Sequence, residues 1–109
     1  MKRTLVGVSV LAMGLVFAAP AAADPDSAFA EELHTYGIYG QKDYNAWIGK
    51  ILCKRLYDDV DHNAYESAKF VHANLDKNST TEQSWQFLAA ALRTYCPGQL
   101  PILEDAARP

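Results

Sequence analysis

The chain has 109 residues, 50% of them hydrophobic, with 13 acidic against 10 basic side chains and a net charge of −3. That length makes one small domain, too short to hold a large core and therefore apt to need a covalent or metal staple. Lys54-Arg55 is the one basic cluster past the N-terminus, which argues against nucleic acid or an anionic lipid surface as partner, because each contact there needs a free Lys or Arg.

The N-terminus reads as a secretory signal peptide over residues 1–23. Lys2 and Arg3 open it, an apolar run spans Leu5 to Ala19, and Ala21-Ala22-Ala23 supplies small residues before Asp24. The apolar run is shorter than the roughly 20 residues of a membrane-spanning helix, and no cysteine follows it to carry a lipid. Removing 23 of the 109 residues leaves 86, and losing Lys2 and Arg3 leaves 8 basic against 13 acidic side chains, a net charge of −5. The expected location is extracellular or the cell envelope, with no anchor after cleavage.

Four amphipathic helical patterns follow, without strand alternation. The first runs from about Ser27 to Tyr36, with Phe29, Leu33 and Tyr36 on one face, Asp24-Pro25-Asp26 ahead of it and Gly37 and Gly40 at its exit. The second runs from about Tyr44 to Tyr57 behind Asp43. Tyr44, Trp47, Ile48, Ile51 and Leu52 form its apolar stripe, and Ala46, Gly49, Cys53 and Tyr57 lie nearly opposite. The third opens at Asn63, with Glu66 as a capping-box partner, and carries Ala64, Ala68, Val71 and Leu75. After the polar break "DKNSTTEQ", Ser79 and Glu82 predict a second capping box and a helix to about Tyr95. Its inner face is Trp85, Leu88, Ala89, Leu92 and Cys96, stopped by Pro97-Gly98. The division is a helical domain over residues 24–100 and a tail over 101–109, in which Leu100, Ile102 and Leu103 are available to pack back and Asp105 onward reads as frayed.

The two cysteines, Cys53 and Cys96, pair in one way only, and export takes them where disulfides persist. A disulfide needs Cα atoms about 5.5 to 6 Å apart, closer than ordinary helix axes. Ala46 and Gly49, on the face of Cys53, would allow that approach. A reactive thiolate would want a histidine or a helix N-terminus beside it, and Cys53 has neither. The fold class is all-α, four helices stapled by one disulfide.

The acidic stretch Asp59 to Asn63 matches the first three ligand positions of a calcium loop at Asp59, Asp61 and Asn63. The turn-glycine position holds Ala64 and the closing glutamate position holds Phe70. The simpler expectation is an inter-helix loop in which Asp61 or Asn63 caps the third helix. His34, His62 and His72 show no zinc-ligand spacing. His62 and Glu66, four apart, and Tyr65 and His72, seven apart, are placed to face each other. The acidic pairs Glu31-Glu32 and Asp58-Asp59 diverge, and no nucleophile elbow or phosphate loop exists. The expectation is no enzyme and no cofactor.

Most aromatics fall on the stripes. Phe87 and Phe70 point away from them, and Tyr39 lies in the Gly37–Gly40 loop, so these three form the candidate interaction surface. A second reading makes the protein a carrier of haem, a lipid or another apolar molecule, in a pocket between helices near Trp47, Tyr65 and His72.

Phe29 and Leu33 before Gly37-Ile38, Gly49 with Cys53 four on, the polar break, a helix with Gln83 followed by an aromatic and alanines, and the closing Tyr95-Cys96-Pro97 appear in this order behind the signal peptide. In that combination the chain resembles the domain of unknown function 732 family, small exported proteins found chiefly in mycobacteria and related actinobacteria. The resemblance covers about Asp26 to Leu100 and implies a secreted helical domain with a cystine and no assigned catalytic residues. One departure is Asp58-Asp59, after the second helix, where the resemblance leads one to expect a glycine. The function expected on these grounds is a binding or interaction module, with an unknown protein or a small apolar molecule as partner.

Overall fold

In the computed structural model, which describes residues 24–108, five α-helices and one 3-10 turn follow each other: α1 (Pro25–Thr35), α2 (Lys42–Tyr57), α3 (Ala64–Asn74), α4 (Thr81–Tyr95), the turn Pro97–Gln99, and α5 (Pro101–Ala107). The expected signal segment lies outside the described residues. Among the described residues no helix is long and apolar enough to cross a membrane.

Helix α4 is the centre. It packs on α1, α2 and α3, while α5 lies against α3. Its start is a capping box one residue later than the spacing predicts: the Thr80 hydroxyl accepts from the Gln83 amide at 3.0 Å, and the Gln83 side chain accepts from the Thr80 amide at 2.9 Å. Its buried face is Ser84, Phe87, Leu88, Ala91 and Leu92, with Ala90 beside it. That face is turned by about one residue from the apolar stripe. The reason is Ser84, which enters the core because its hydroxyl donates to the Thr80 carbonyl and shares a 2.9 Å hydrogen bond with His72 Nδ1. Phe87 thereby leaves the candidate surface. It is fully buried, edge-on to Phe29 at 5.2 Å between ring centroids.

Helix α2 is turned as well. Its inner face is Asn45, Ala46, Ile48, Gly49, Leu52 and Cys53, so the small-residue side faces the bundle and Tyr44 and Trp47 face outward. The cause is the disulfide: Cys53 and Cys96 are bonded with Cα atoms 5.9 Å apart, and a contact that close leaves no room for indole or phenol rings between the backbones. Phe29 and Leu33 of α1, Ile48 and Leu52 of α2, Val71 of α3 and Phe87, Leu88 and Leu92 of α4 complete the core. Each such burial contributes roughly 1.5–3 kcal/mol.

The tail is ordered as α5, not frayed from Asp105. The Tyr65 hydroxyl donates to the Ala106 carbonyl at 2.9 Å, and Ile102, Leu103 and Ala106 pack against the core.

Candidate functional site

Two loops at one end of the bundle face each other across a cleft of about 430 Å³. The first wall starts where α1 stops. Gly37 takes φ +77°, and the pair of hydrogen bonds from Ile38 N to Leu33 O and from Gly37 N to His34 O, each 3.0 Å, closes the helix with the paired bonds of a left-handed stop. This turns Ile38 inward and throws Tyr39 outward, 69% exposed, its ring 5.2 Å from that of His34. Gly40, at φ +116°, then delivers the chain to Gln41, whose side chain accepts from the Tyr44 amide at 2.6 Å and caps α2.

The opposite wall is Asn74 to Ser79. Asp76 holds it as a turn, accepting from the Asn78 amide at 2.9 Å through its side chain and from the Ser79 amide at 2.8 Å through its carbonyl. Gln83 ties α4 to the first wall, donating to the carbonyls of Tyr36 at 3.1 Å and Gly37 at 3.4 Å. Tyr44 spans the cleft, its hydroxyl 3.4 Å from the Asn74 carbonyl oxygen.

Asn45 lies at the floor, 6% exposed. Its Nδ2 donates to the Tyr39 carbonyl at 3.3 Å, and among the described residues no donor reaches its Oδ1. A buried amide oxygen without a donor costs about 1–3 kcal/mol, so the floor of the cleft holds an unused acceptor. Among the described residues, Asp76 is the one charged side chain that lines the cleft, with no Lys, Arg or His beside it.

Of the expected surface residues, Tyr39 forms the rim of this cleft. Phe70 is half-buried, covered by the Arg55 guanidinium at 4.3 Å from its ring centroid. The expected pocket of Trp47, Tyr65 and His72 does not assemble. Trp47 is 57% exposed on the outer side of α2, its ring 6.1 Å from that of Tyr44. Tyr65 lies edge-on to Trp85 at 5.3 Å, and His72 is bonded to Ser84. None of the three described clefts takes more than one of them.

The calcium-like stretch is otherwise employed. Asp61 is buried and accepts two bonds from Arg55, at 3.0 and 2.8 Å, and a third from the Ser67 hydroxyl at 3.1 Å. Asn63 caps α3, accepting from the Glu66 amide at 2.9 Å, and Glu66 accepts from the His62 amide at 2.7 Å. Asp59 has φ +59° and ends α2, with Val60 N bonded to Arg55 O at 2.8 Å and Asp59 N to Leu56 O at 3.2 Å. It occupies the left-handed position that the expected glycine would take.

Sequence reasoning missed Tyr44, Asn45 and Gln83 as members of one site. The signal for Asn45 was a polar residue among the small residues that face the bundle.

The sequence profile described as "Protein of unknown function (DUF732)" matches residues 25–98. The chain belongs to that family. Among curated proteins, "Uncharacterized protein Rv0559c" of Mycobacterium tuberculosis strain H37Rv and "Uncharacterized protein MT0585" of strain CDC 1551 are each 48% identical to it over 103 residues, covering 94% of this chain and 90% of the relative. No solved structure matches the chain significantly. The span shared with the DUF732 family includes both cysteines, the two walls of the cleft and Asn45, while α5 lies beyond it.

Proposed function

We propose that this DUF732 protein is an exported, non-catalytic binding module of the cell envelope or extracellular space, and that it binds at the cleft between the 37–41 and 74–79 loops. The observation that carries this reading is the outward display of Tyr39 and Tyr44 at the rim of the cleft with Trp47 beside them; Tyr57, Val60 and Tyr65 are exposed as well but lie outside its lining. Exposed rings grouped around a concave, hydrogen-bonding surface are what recognition uses. Export is supported by the three-part pattern of residues 1–23 and by the cystine. The carrier reading has less behind it, since Trp47, Tyr65 and His72 belong to separate surfaces.

Two measurements test the proposal. The intact mass of the protein from its host's culture filtrate, taken without reductant, is expected to correspond to a chain starting at Asp24 and short of two hydrogens. Retained residues 1–23 on the cell-associated protein would refute export. Purified protein is expected to sediment with the host's cell-envelope fraction, and the Tyr39→Ala/Trp47→Ala double variant to lose about tenfold in retention, a change of 1.4 kcal/mol. Equal retention of both would remove the cleft from the function.

A further inference from the structure

We infer that the cleft binds a neutral oligosaccharide built of hexopyranose units. This deepens the binding-module reading and rests on it.

Among the described residues no cation lines the cleft and one carboxylate, Asp76, does, so an anionic ligand finds no counter-charge there and a cationic ligand finds a single partner. An apolar ligand would finish sealing Asn45, a residue already only 6% exposed, without giving its Oδ1 a donor. That is the situation in which a site discriminates most strongly against a molecule lacking a hydroxyl. The required ligand is uncharged and carries a donor to the floor. The rim extends the requirement. The Asn78 side-chain amide and the Ser79 hydroxyl have no partner among the described residues, and Gln41 uses its Oε1 for the cap and leaves its Nε2 free. Amides and hydroxyls together offer donors and acceptors to groups that need both, as sugar hydroxyls do. The exposed rings of Tyr39 and Tyr44 at the rim supply apolar faces for the C–H side of a pyranose, and Trp47, 6.1 Å from Tyr44 and tilted 53° to it, offers a separate face on α2 for a further unit. A volume near 430 Å³ is within the range of small-molecule sites.

The test is a titration of the isotope-labelled, disulfide-intact protein with maltohexaose, cellohexaose and mannohexaose, and with trialanine as a peptide comparison. Concentrations reach about ten times a millimolar Kd. At least one hexasaccharide is expected to shift the side-chain amide resonances of Asn45, Asn78 and Gln41 and to quench Trp47. Tyr39→Ala and Asn78→Ala, both at exposed positions, are each expected to weaken that binding about tenfold while circular dichroism stays unchanged. Absence of shifts with all three sugars, shifts confined to other surfaces, or shifts with trialanine alone would overturn the inference. If envelope retention still depends on Tyr39 and Trp47 while no sugar binds, the binding module stands and its ligand class is wrong. If retention fails as well, both fall.

Discussion

The Tyr95 hydroxyl donates a 2.7 Å hydrogen bond to the Asp26 carboxylate, joining the last turn of α4 to the first turn of α1. Lys50 of α2 pairs with the same carboxylate at 3.2 Å and lies 5.6 Å from the centroid of the Tyr95 ring. Three helices therefore converge on one phenol, whose ring also stacks edge-on against Phe29 at 5.2 Å.

This relationship predicts a stability plateau in pH. The Tyr95 bond, aided by Lys50, holds the Asp26 carboxyl below its ordinary 3.8 against the opposing effect of burial. Burial and then Asp26 push the Tyr95 phenol well above its ordinary 10.0. A depressed carboxyl contributes stability above the unfolded value and loses it as pH falls through the folded one; a raised phenol contributes below its unfolded value and loses it as pH rises through the folded one. The pair thus acts fully between about pH 4 and pH 10. Tyr95→Phe is expected to cost about 1 kcal/mol in urea unfolding at pH 7 and less at pH 3. An equal cost at both would show that the carboxylate is not its partner.

Gly49 predicts a steric limit. A Cβ there would lie 2.9 Å from Tyr95 Cε2 and 3.3 Å from Phe29 Cε2. The Tyr95 ring is fixed by Asp26 and Phe29, so it has little freedom to give way. Gly49→Ala, although favourable for an isolated helix, is expected to destabilise by about 1–3 kcal/mol in chemical denaturation. A stabilised variant would mean that the ring moves freely.

The cystine closes a separation of 43 positions. Loop-closure entropy gives about 4 kcal/mol for that length. Cys53→Ala/Cys96→Ala is expected to lower unfolding free energy by about that amount, and wild type with reductant to follow it. A loss under about 1 kcal/mol would indicate residual structure in the reduced unfolded chain.

At the end of α2, Asp59 holds φ +59° where a glycine meets no Cβ penalty. Asp59→Gly is expected to raise stability by about 0.5–1 kcal/mol, read as an increased midpoint in urea at unchanged slope. A decrease would show that the Asp59 side chain contributes more than its backbone conformation costs.

Asp61 accepts from both Arg55 and Ser67 inside the protein. Asp61→Ala leaves the half-buried guanidinium without its acceptor and is expected to cost about 3 kcal/mol. Millimolar calcium is expected to leave the melting temperature of the wild type unchanged, because Asp61 and Asn63 already spend their oxygens within the chain. A rise in melting temperature with calcium would restore the loop as a metal site.

Period, capping residues and cysteine count by themselves determined the helical class, the approximate places of α1 to α4, and the pairing of Cys53 with Cys96, because these follow from local chemistry and from the number of possible partners. The facing of the helices was decided only by tertiary structure. On α2 the cystine and Gly49 drew the small residues inward and turned Tyr44 and Trp47 out, although those rings are the more hydrophobic side. On α4 a satisfied Ser84 took a core position and carried Phe87 in with it. The cleft was equally illegible along the chain, since Asn45, Asn78 and Gln83 come from separate elements and meet only when the two loops face each other. Apolarity ranks the faces of an isolated helix; a covalent contact at 5.9 Å and the partners of a buried hydroxyl choose between them.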